Sequence, residues 1–457
     1  MTYKKLILLF VTVLLQCLVS ENAFSQEKEL IKLTPTDRMV DSLVIEGPQV
    51  VWKAVVDKEF SSGFSSPLIS LKDMIFFDLK GKKDDFFNGY ICAINSDRGT
   101  VEWVNNIGSG YARPAVDEDT NTLFVSSHEG VFYAFDIHSG EEIWNKKVEN
   151  WNAEDRNISS VTGDQNVYFG YGTGYIYAFD KKTGEEQWRY DVEGVIYADP
   201  LVIDKNFYCA TSDGRVFCLK KEDGTLIWEA SIQPDIYFLN LLHEENQIIF
   251  VWCKEDVFKA PEERVLYFTA FDMYTGVLTW KTMFDSSEVA SWPVKAFATI
   301  FQSRGQTVHA LNCLNGQQKW KYESNNPFFP ALTVHEDLLF AGHGAEFGYE
   351  GEKPNLIYAF DCKSGEIVWE YETPSGITHP IEIDNNVLCA SSTDDISDAP
   401  RRIVFFLDPQ TGEPKGKIAT KKQEKVTDYT LEEGNVMFIS VVDNEGNSAV
   451  YKLELRL

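Results

Sequence analysis

The chain has 457 residues, 44% of them hydrophobic, 14% aromatic and 25% charged, and a formal net charge of −28. This composition is rich enough in apolar side chains to bury a core, which excludes a disordered chain. The acid excess repels nucleic acid and anionic membrane surfaces, which are bound through basic patches, and the basic runs at 80–83 ("KGKK") and 421–422 are too short to make one.

At the N-terminus, "MTYKKLILLFVTVLLQCLVSENAFSQ" sets Lys4 and Lys5 before an apolar run from Leu6 to Leu15, with Ala23 and Ser25 at small-residue cleavage spacing. Residues 1–25 therefore read as a secretory signal peptide, with an apolar run too short for a comfortable membrane span. The expected location is periplasmic or secreted, with no transmembrane segment. A second reading makes Cys17 the lipid-anchored first residue of a lipoprotein, although Gln16 is bulky for the position before it. Residues 26–47 carry no repeat character and read as a loose strap or linker. Residues 48–457 read as one domain.

Within that domain one string returns. "AFDKKTGEEQW" (178–188) aligns with "AINSDRGTVEW" (93–103), "AFDIHSGEEIW" (134–144), "CLKKEDGTLIW" (218–228), "AFDMYTGVLTW" (270–280), "ALNCLNGQQKW" (310–320) and "AFDCKSGEIVW" (359–369). An eighth copy, "FLDPQTGEPKG" (406–416), keeps the acid and the glycine and loses the tryptophan. Its glycines, Gly99, Gly140, Gly184, Gly224, Gly276, Gly316, Gly365 and Gly412, recur every 40 to 52 residues. Such periods mean propellers or helical arrays. Short β-branched and aromatic runs such as "TLFVSS" (122–127) and "NVYFGY" (166–171), bounded by Gly, Asp, Asn or Ser, decide for strands.

Each unit then reads as four antiparallel strands, A to D, making one propeller blade, and the string spans the end of strand C, a turn and strand D. The acid caps the turn, and the glycine supplies its positive φ. Trp103, Trp144, Trp188, Trp228, Trp280, Trp320 and Trp369 fall on strand D, where each can fill the gap between blades and give its indole N–H to a backbone carbonyl. "PQVVWKAVV" (48–56) looks like a lone strand D with Trp52, and 426–455 looks like strands A to C without a D. Pairing the two closes the ring and removes its exposed edges. The expected fold is an all-β propeller of eight blades, with nine the alternative if all eight internal units and the split blade count. Region 378–420 or the last hairpin is the unit that would drop out of an eight-bladed ring.

The pattern A-x-[DN]-x-x-[TSN]-G-x-x-x-W resembles the tryptophan-docking repeat of the pyrroloquinoline-quinone (PQQ)-like propellers, over almost the whole mature chain. That superfamily includes quinoprotein alcohol dehydrogenases and the propeller lipoprotein of the outer-membrane β-barrel assembly machinery. The dehydrogenases bind PQQ and calcium beside a disulfide between adjacent cysteines. This sequence has no Cys-Cys pair and no C-x-x-C-H haem motif, so no catalytic, cofactor or metal residue carries over, and neither PQQ nor calcium is expected.

The remaining candidates are local. After the leader seven cysteines remain: Cys92, Cys209, Cys218, Cys253, Cys313, Cys362 and Cys389. Their spacings fit no zinc pattern. A two-residue turn at Asp213-Gly214 would set Cys209 opposite Cys218, within disulfide reach, and the alternative is two small core residues. Asp394, Asp395 and Asp398 offer carboxylates without the ligand pattern of a calcium loop, so a solvated acidic loop is the plainer reading. "GYGTGYIY" (170–177) joins two strands with no helix after it and reads as a hairpin turn rather than a phosphate loop. His128, His138, His335 and His343 flank strands and read as turn or rim positions. Longer connections at 253–264, 342–355 and 392–402 all fall between strands B and C, and so on one face.

Three functions compete. The first is a non-catalytic exported scaffold, monomeric, binding a protein partner or an extended ligand in the cell envelope through one propeller face. The second is a divergent quinoprotein-type oxidoreductase or a hydrolase. The third is a glycan-binding or sensor module with Trp151, Phe328 and Phe329 as its aromatic platform, whose plainer role is packing between blades.

Overall fold

The computed structural model describes residues 31–34, 43–46, 49–56, 68–80, 89–108, 114–127, 129–148, 161–170, 174–196, 200–211, 213–231, 240–244, 248–254, 265–285, 293–328, 332–344, 354–384, 386–394, 401–420, 425–432, 436–442 and 448–455. Residues 1–25, Cys17 among them, lie outside the described residues, and Cys253 falls on the strand Ile248–Lys254. Among these residues the strands form nine antiparallel sheets. Blades 1 to 8 follow the chain at 69–108, 115–147, 161–191, 201–231, 240–285, 294–323, 333–373 and 382–420. Blade 9 takes its strands A to C from Lys425–Glu432, Val436–Val442 and Ser448–Glu454, and its strand D from Gln49–Val56.

Burial explains why the repeat reads as it does. Strands B and C are covered by a neighbouring blade on both faces and are mostly apolar, as in Thr122–Ser126 and Leu338–Gly342, where every residue is buried. Strand D is the outer strand and alternates instead. In Glu142–Lys147, Glu186–Asp191, Leu226–Ser231 and Gln318–Glu323 the third residue, the tryptophan, is the one fully buried position.

Each tryptophan reaches the next blade round the ring. Trp52, Trp103, Trp144 and Trp188 donate their indole N–H to the carbonyls of Ser96, Ile137, Lys181 and Lys221 at 2.8–3.0 Å. Trp228, Trp280, Trp320 and Trp369 donate to Met273, Cys313, Cys362 and Pro409 at 2.9–3.0 Å. Every acceptor lies three residues before a repeat glycine. Those glycines have φ between +65° and +74°, and a Cβ on any of them would lie 2.4–2.7 Å from the incoming indole. The glycine is therefore needed twice, for the turn's left-handed backbone and as a flat floor for the tryptophan of the blade before.

The nine sheets answer the count. Region 378–420 holds a full blade, onto which Trp369 docks through Pro409 and Gly412, so the eight-blade expectation gives way to nine sheets among the described residues. Blade 8 itself has no tryptophan to pass on, for a topological reason. Strands C and D of blade 9 come from opposite ends of the chain, so no C–D turn stands there to receive one. The void is filled from the neighbouring strand: where other blades pair Ala or Cys with Trp, as Ala178 with Trp188, blade 8 pairs Phe406 with Gly416. Phe406 packs with Tyr429, Met437 and Tyr451 of blade 9.

Two sequence expectations are corrected. Two parts of the segment 26–47, read as a strap or linker, are strands: β1 (Ile31–Thr34) pairs with β3 (Gln49–Val56), and β2 (Leu43–Glu46) pairs with Pro414–Thr420 of blade 8. Of the two readings of Cys209 and Cys218, the possible bridge is not formed: both are free, buried residues of the core. Thr211 N–H bonds to the Arg215 carbonyl, so three residues make the turn, and Cys218 pairs with Tyr208 while Cys209 pairs with Phe217. That one-residue slip sends the two sulfurs to opposite faces of blade 4. Cys209 packs toward blade 3 and Cys218 toward blade 5. Alkylation of the denatured protein without reductant is expected to label both residues; protection of either would contradict this register.

Candidate functional site

Consecutive strands alternate in direction, so A–B and C–D turns emerge on one face and B–C and D–A connections on the other. The turn face is short and stitched together. Asp117 of blade 2 pairs with Lys181 of blade 3, both buried, and Asp164 of blade 3 pairs with Lys221 of blade 4. His138 lies there too, exposed, 4.0 Å from Asp73.

The opposite face carries the long connections, as the spacing predicts. Loops 255–264, 345–353 and 395–400 lie outside the described residues, and their paired roots place all three on this face. In blade 8 the connection is shorter than expected, because Thr393 and Asp394 pair with Arg402 and Arg401 and extend the hairpin. Asp395 and Asp398 lie outside the described residues. On either side of 171–173, Gly170 pairs with Ile176 in an antiparallel hairpin, and Gly174, at φ +92°, lies against the Gly194 carbonyl of the following D–A loop.

Under these loops the backbone of blades 6 to 8 is bridged. Phe328 pairs with His343, Gly344 with Ile377, and Ile377 with Ser392. Gly344 N–H reaches the Pro327 carbonyl at 3.0 Å, and Thr378 N–H reaches Ser391 at 2.9 Å. Two histidines sit in this ladder. The Leu356 N–H donates to His343 Nδ1 at 3.0 Å, so the neutral ring carries its proton on Nε2 and donates to Ser324 Oγ at 2.6 Å. Burial pushes the His343 pKa down to about 4. His379 presents Nε2 to the Thr427 carbonyl at 3.3 Å and Nδ1 to Ser391 Oγ at 2.8 Å, with burial and then the Arg402 charge holding its pKa low.

A hydroxyl on an imidazole is the pairing an activated nucleophile uses. Ser391, however, is fully buried within the ladder, where its hydroxyl also meets Thr378 Oγ1 at 2.9 Å. Both histidines thus join neighbouring blades, and sequence spacing could not reveal it, since their partners lie up to 48 residues away.

Carboxylates complete the inner edge of this region. Glu382 on strand A of blade 8 accepts the Leu431 N–H of blade 9 at 2.9 Å, and Asp428 of blade 9 accepts the Leu68 N–H beside blade 1 at 2.8 Å. Burial raises their pKa values to about 7 and about 6. Tyr429 donates to the Pro380 carbonyl at 2.7 Å. Of the aromatic platform, Trp151 and Phe329 lie outside the described residues, while Phe328 is buried against Tyr322, Tyr358 and His343. Its place is between blades. Among the described residues no three His, Cys, Asp or Glu side chains converge as metal ligands, and no helix is long and apolar enough to cross a membrane.

A ring of antiparallel blades, in which eight tryptophans each sit on the glycine of the next blade's C–D turn, defines a PQQ-like β-propeller. Within that class, the family model described as outer membrane protein assembly factor BamB matches residues 49–158, 151–240 and 263–452, and the chain belongs to that family. A search of curated proteins returns no significant match. Among solved structures, BamB from Moraxella catarrhalis is similar at 14% identity and a TM-score of 0.50, over 82% of this chain and 99% of that one. The designed protein Ika8 is 14% identical over 74% of this chain and 94% of its own, with a TM-score of 0.49. Quinohemoprotein alcohol dehydrogenase ADHIIG from Pseudomonas putida HK5 is 11% identical over 75% and 74%, with a TM-score of 0.44.

Proposed function

We infer that this chain is an exported, non-catalytic scaffold that holds a protein partner in the cell envelope through its B–C/D–A face. The observation that carries the reading is the placement of three lengthened connections on one face, above a base braced across blades 6 to 8. Long loops on a rigid repeat scaffold are a common binding device, because the scaffold fixes where the loops start while their sequence stays free to vary. The family match supports an envelope role, since its description concerns outer-membrane protein assembly. The missing adjacent-cysteine pair and haem motif favour a scaffold over a quinoprotein enzyme.

Photo-crosslinkers at Arg402, beside the blade 8 connection, and at Lys182, on the turn face, test the reading in intact envelopes. A discrete protein adduct from position 402 and none from 182 is the expected result. Adducts from neither position, together with dye-linked alcohol oxidation on adding PQQ and calcium, would replace the scaffold with the oxidoreductase. Glycan binding without any protein adduct would replace it with the glycan module.

A further inference from the structure

Among the described residues, eight of the nine blade junctions share one fastening, an indole seated on a glycine turn, and the junction between blades 8 and 9 lacks it. Phe406 and its apolar neighbours pack that seam, but no tryptophan side chain reaches across it to a carbonyl of the next blade. Blade 9 is assembled from both ends of the chain, so its strands C and D meet without a covalent turn and offer blade 8 no glycine turn on which an indole could sit. This junction is expected to be the weakest of the ring, since the repeated anchor is missing and the connection from Thr420 to Lys425 is what the chain itself supplies between the two repeat units.

The N-terminal segment lies over this junction. β1 adds a fifth strand outside blade 9, through the pairs Ile31 with Val56 to Thr34 with Lys53. β2 adds a fifth strand outside blade 8, through Leu43 with Thr420 to Glu46 with Lys417. Among the described residues these are the two five-stranded sheets, and they are the two that flank the seam. The chain therefore passes from blade 9 to blade 8 between Thr34 and Leu43, and returns between Glu46 and Gln49. The return takes three residue steps, which span at most about 11 Å. Main-chain pairing on each blade, joined by two covalent crossings, resists separation of the blades at their outer edges, where the tryptophan would otherwise act.

We propose that strands β1 and β2 together act as a latch that fastens blade 8 to blade 9 in place of the missing tryptophan dock, so that the hold on this seam depends on the N-terminal segment. The same arrangement covers two outer edges that would otherwise stand open to strand pairing. Release of the latch exposes both edges and frees the seam, while the eight tryptophan junctions stay fastened.

Hydrogen exchange on the unmodified protein is the first test. Bonded amides of 31–34 and 43–46 are expected to exchange at least tenfold more slowly than in a free peptide of residues 26–48. Exchange at the peptide rate overturns the latch. The second test is the double substitution Val44→Pro and Ile45→Pro. Adjacent residues of an antiparallel strand alternate between bonded and non-bonded pairs, so one of the two prolines must remove an N–H that faces blade 8. Exchange is expected to rise at least tenfold in 414–420 and in 425–442, and to stay unchanged in blades 3 and 4. Unchanged exchange at the seam overturns the proposal. If the double variant does not fold, the measurement on the unmodified protein decides.

Discussion

Replacing Trp103 with alanine is expected to destabilise the ring by about 3–5 kcal/mol, the usual range for truncating a large buried aromatic. Trp103 is fully buried, lies against Phe76 and Phe135, and satisfies the Ile137 carbonyl. Its partner Gly140 gives the prediction its sharper form. A Cβ there would stand 2.4 Å from the indole Cγ, on a backbone with φ +69°. Gly140→Ala therefore carries a left-handed backbone cost of about 1–2 kcal/mol and an overpacking cost of about 1–3 kcal/mol. In the Trp103→Ala background the second cost falls, because the ring contacts at 2.4 and 2.6 Å are gone and the contact with Cβ at 2.7 Å is what remains of that side chain. The double variant should then lose less than the sum of the single variants in denaturant or thermal unfolding. Losses that add within about 0.5 kcal/mol would show that floor and wedge are not one device.

The same logic shows which parts of the molecule the sequence could disclose. A turn, its cap and its wedge recur at fixed spacing, so the repeat reports blades directly, and the face bearing the long connections follows from strand alternation alone. Blade 8 was harder to read because its anchor is reversed. Phe406 on strand C fills space that tryptophan on strand D fills elsewhere, without its hydrogen bond, a swap visible only once the cross-strand pair with Gly416 is known. β1 and β2 are four residues each and carry no repeat, and the partner of β2 lies more than 370 residues along the chain. Local pattern cannot announce an edge supplied from so far away. The cysteine pair failed on turn length: a three-residue turn in place of two reverses the facing of Cys218, and the sequence "SDG" permits either. For the candidate site, the loops were legible, but the ladder of His343, Ile377 and Ser392 beneath them was not, since backbone bridges leave no mark on composition.

Glu382→Gln should stabilise the protein increasingly as pH rises from 5 to 8. Burial is the main cause of the high Glu382 pKa, near 7; the neighbouring Asp428 charge adds to it, and the Leu431 N–H bond only partly offsets it. Because the folded state holds this proton more tightly than the unfolded state, the carboxyl's contribution is complete below the ordinary value of 4.5 and is lost as pH rises through about 7. Asp428, raised to about 6, acts with the same sign, whereas His343, lowered to about 4, acts with the opposite sign and loses stability as pH falls. Comparing Glu382→Gln with the unmodified protein cancels the His343 contribution, which both share. Glutamine keeps an oxygen for the Leu431 N–H and cannot ionise. The two proteins should thus unfold alike near pH 4.5 and separate by up to about 3 kcal/mol at pH 8, the linkage value of such a shift. Unfolding midpoints that run parallel across this range would mean that Glu382 ionises freely in the fold, and that the inner pin between blades 8 and 9 is not buried as the structure has it.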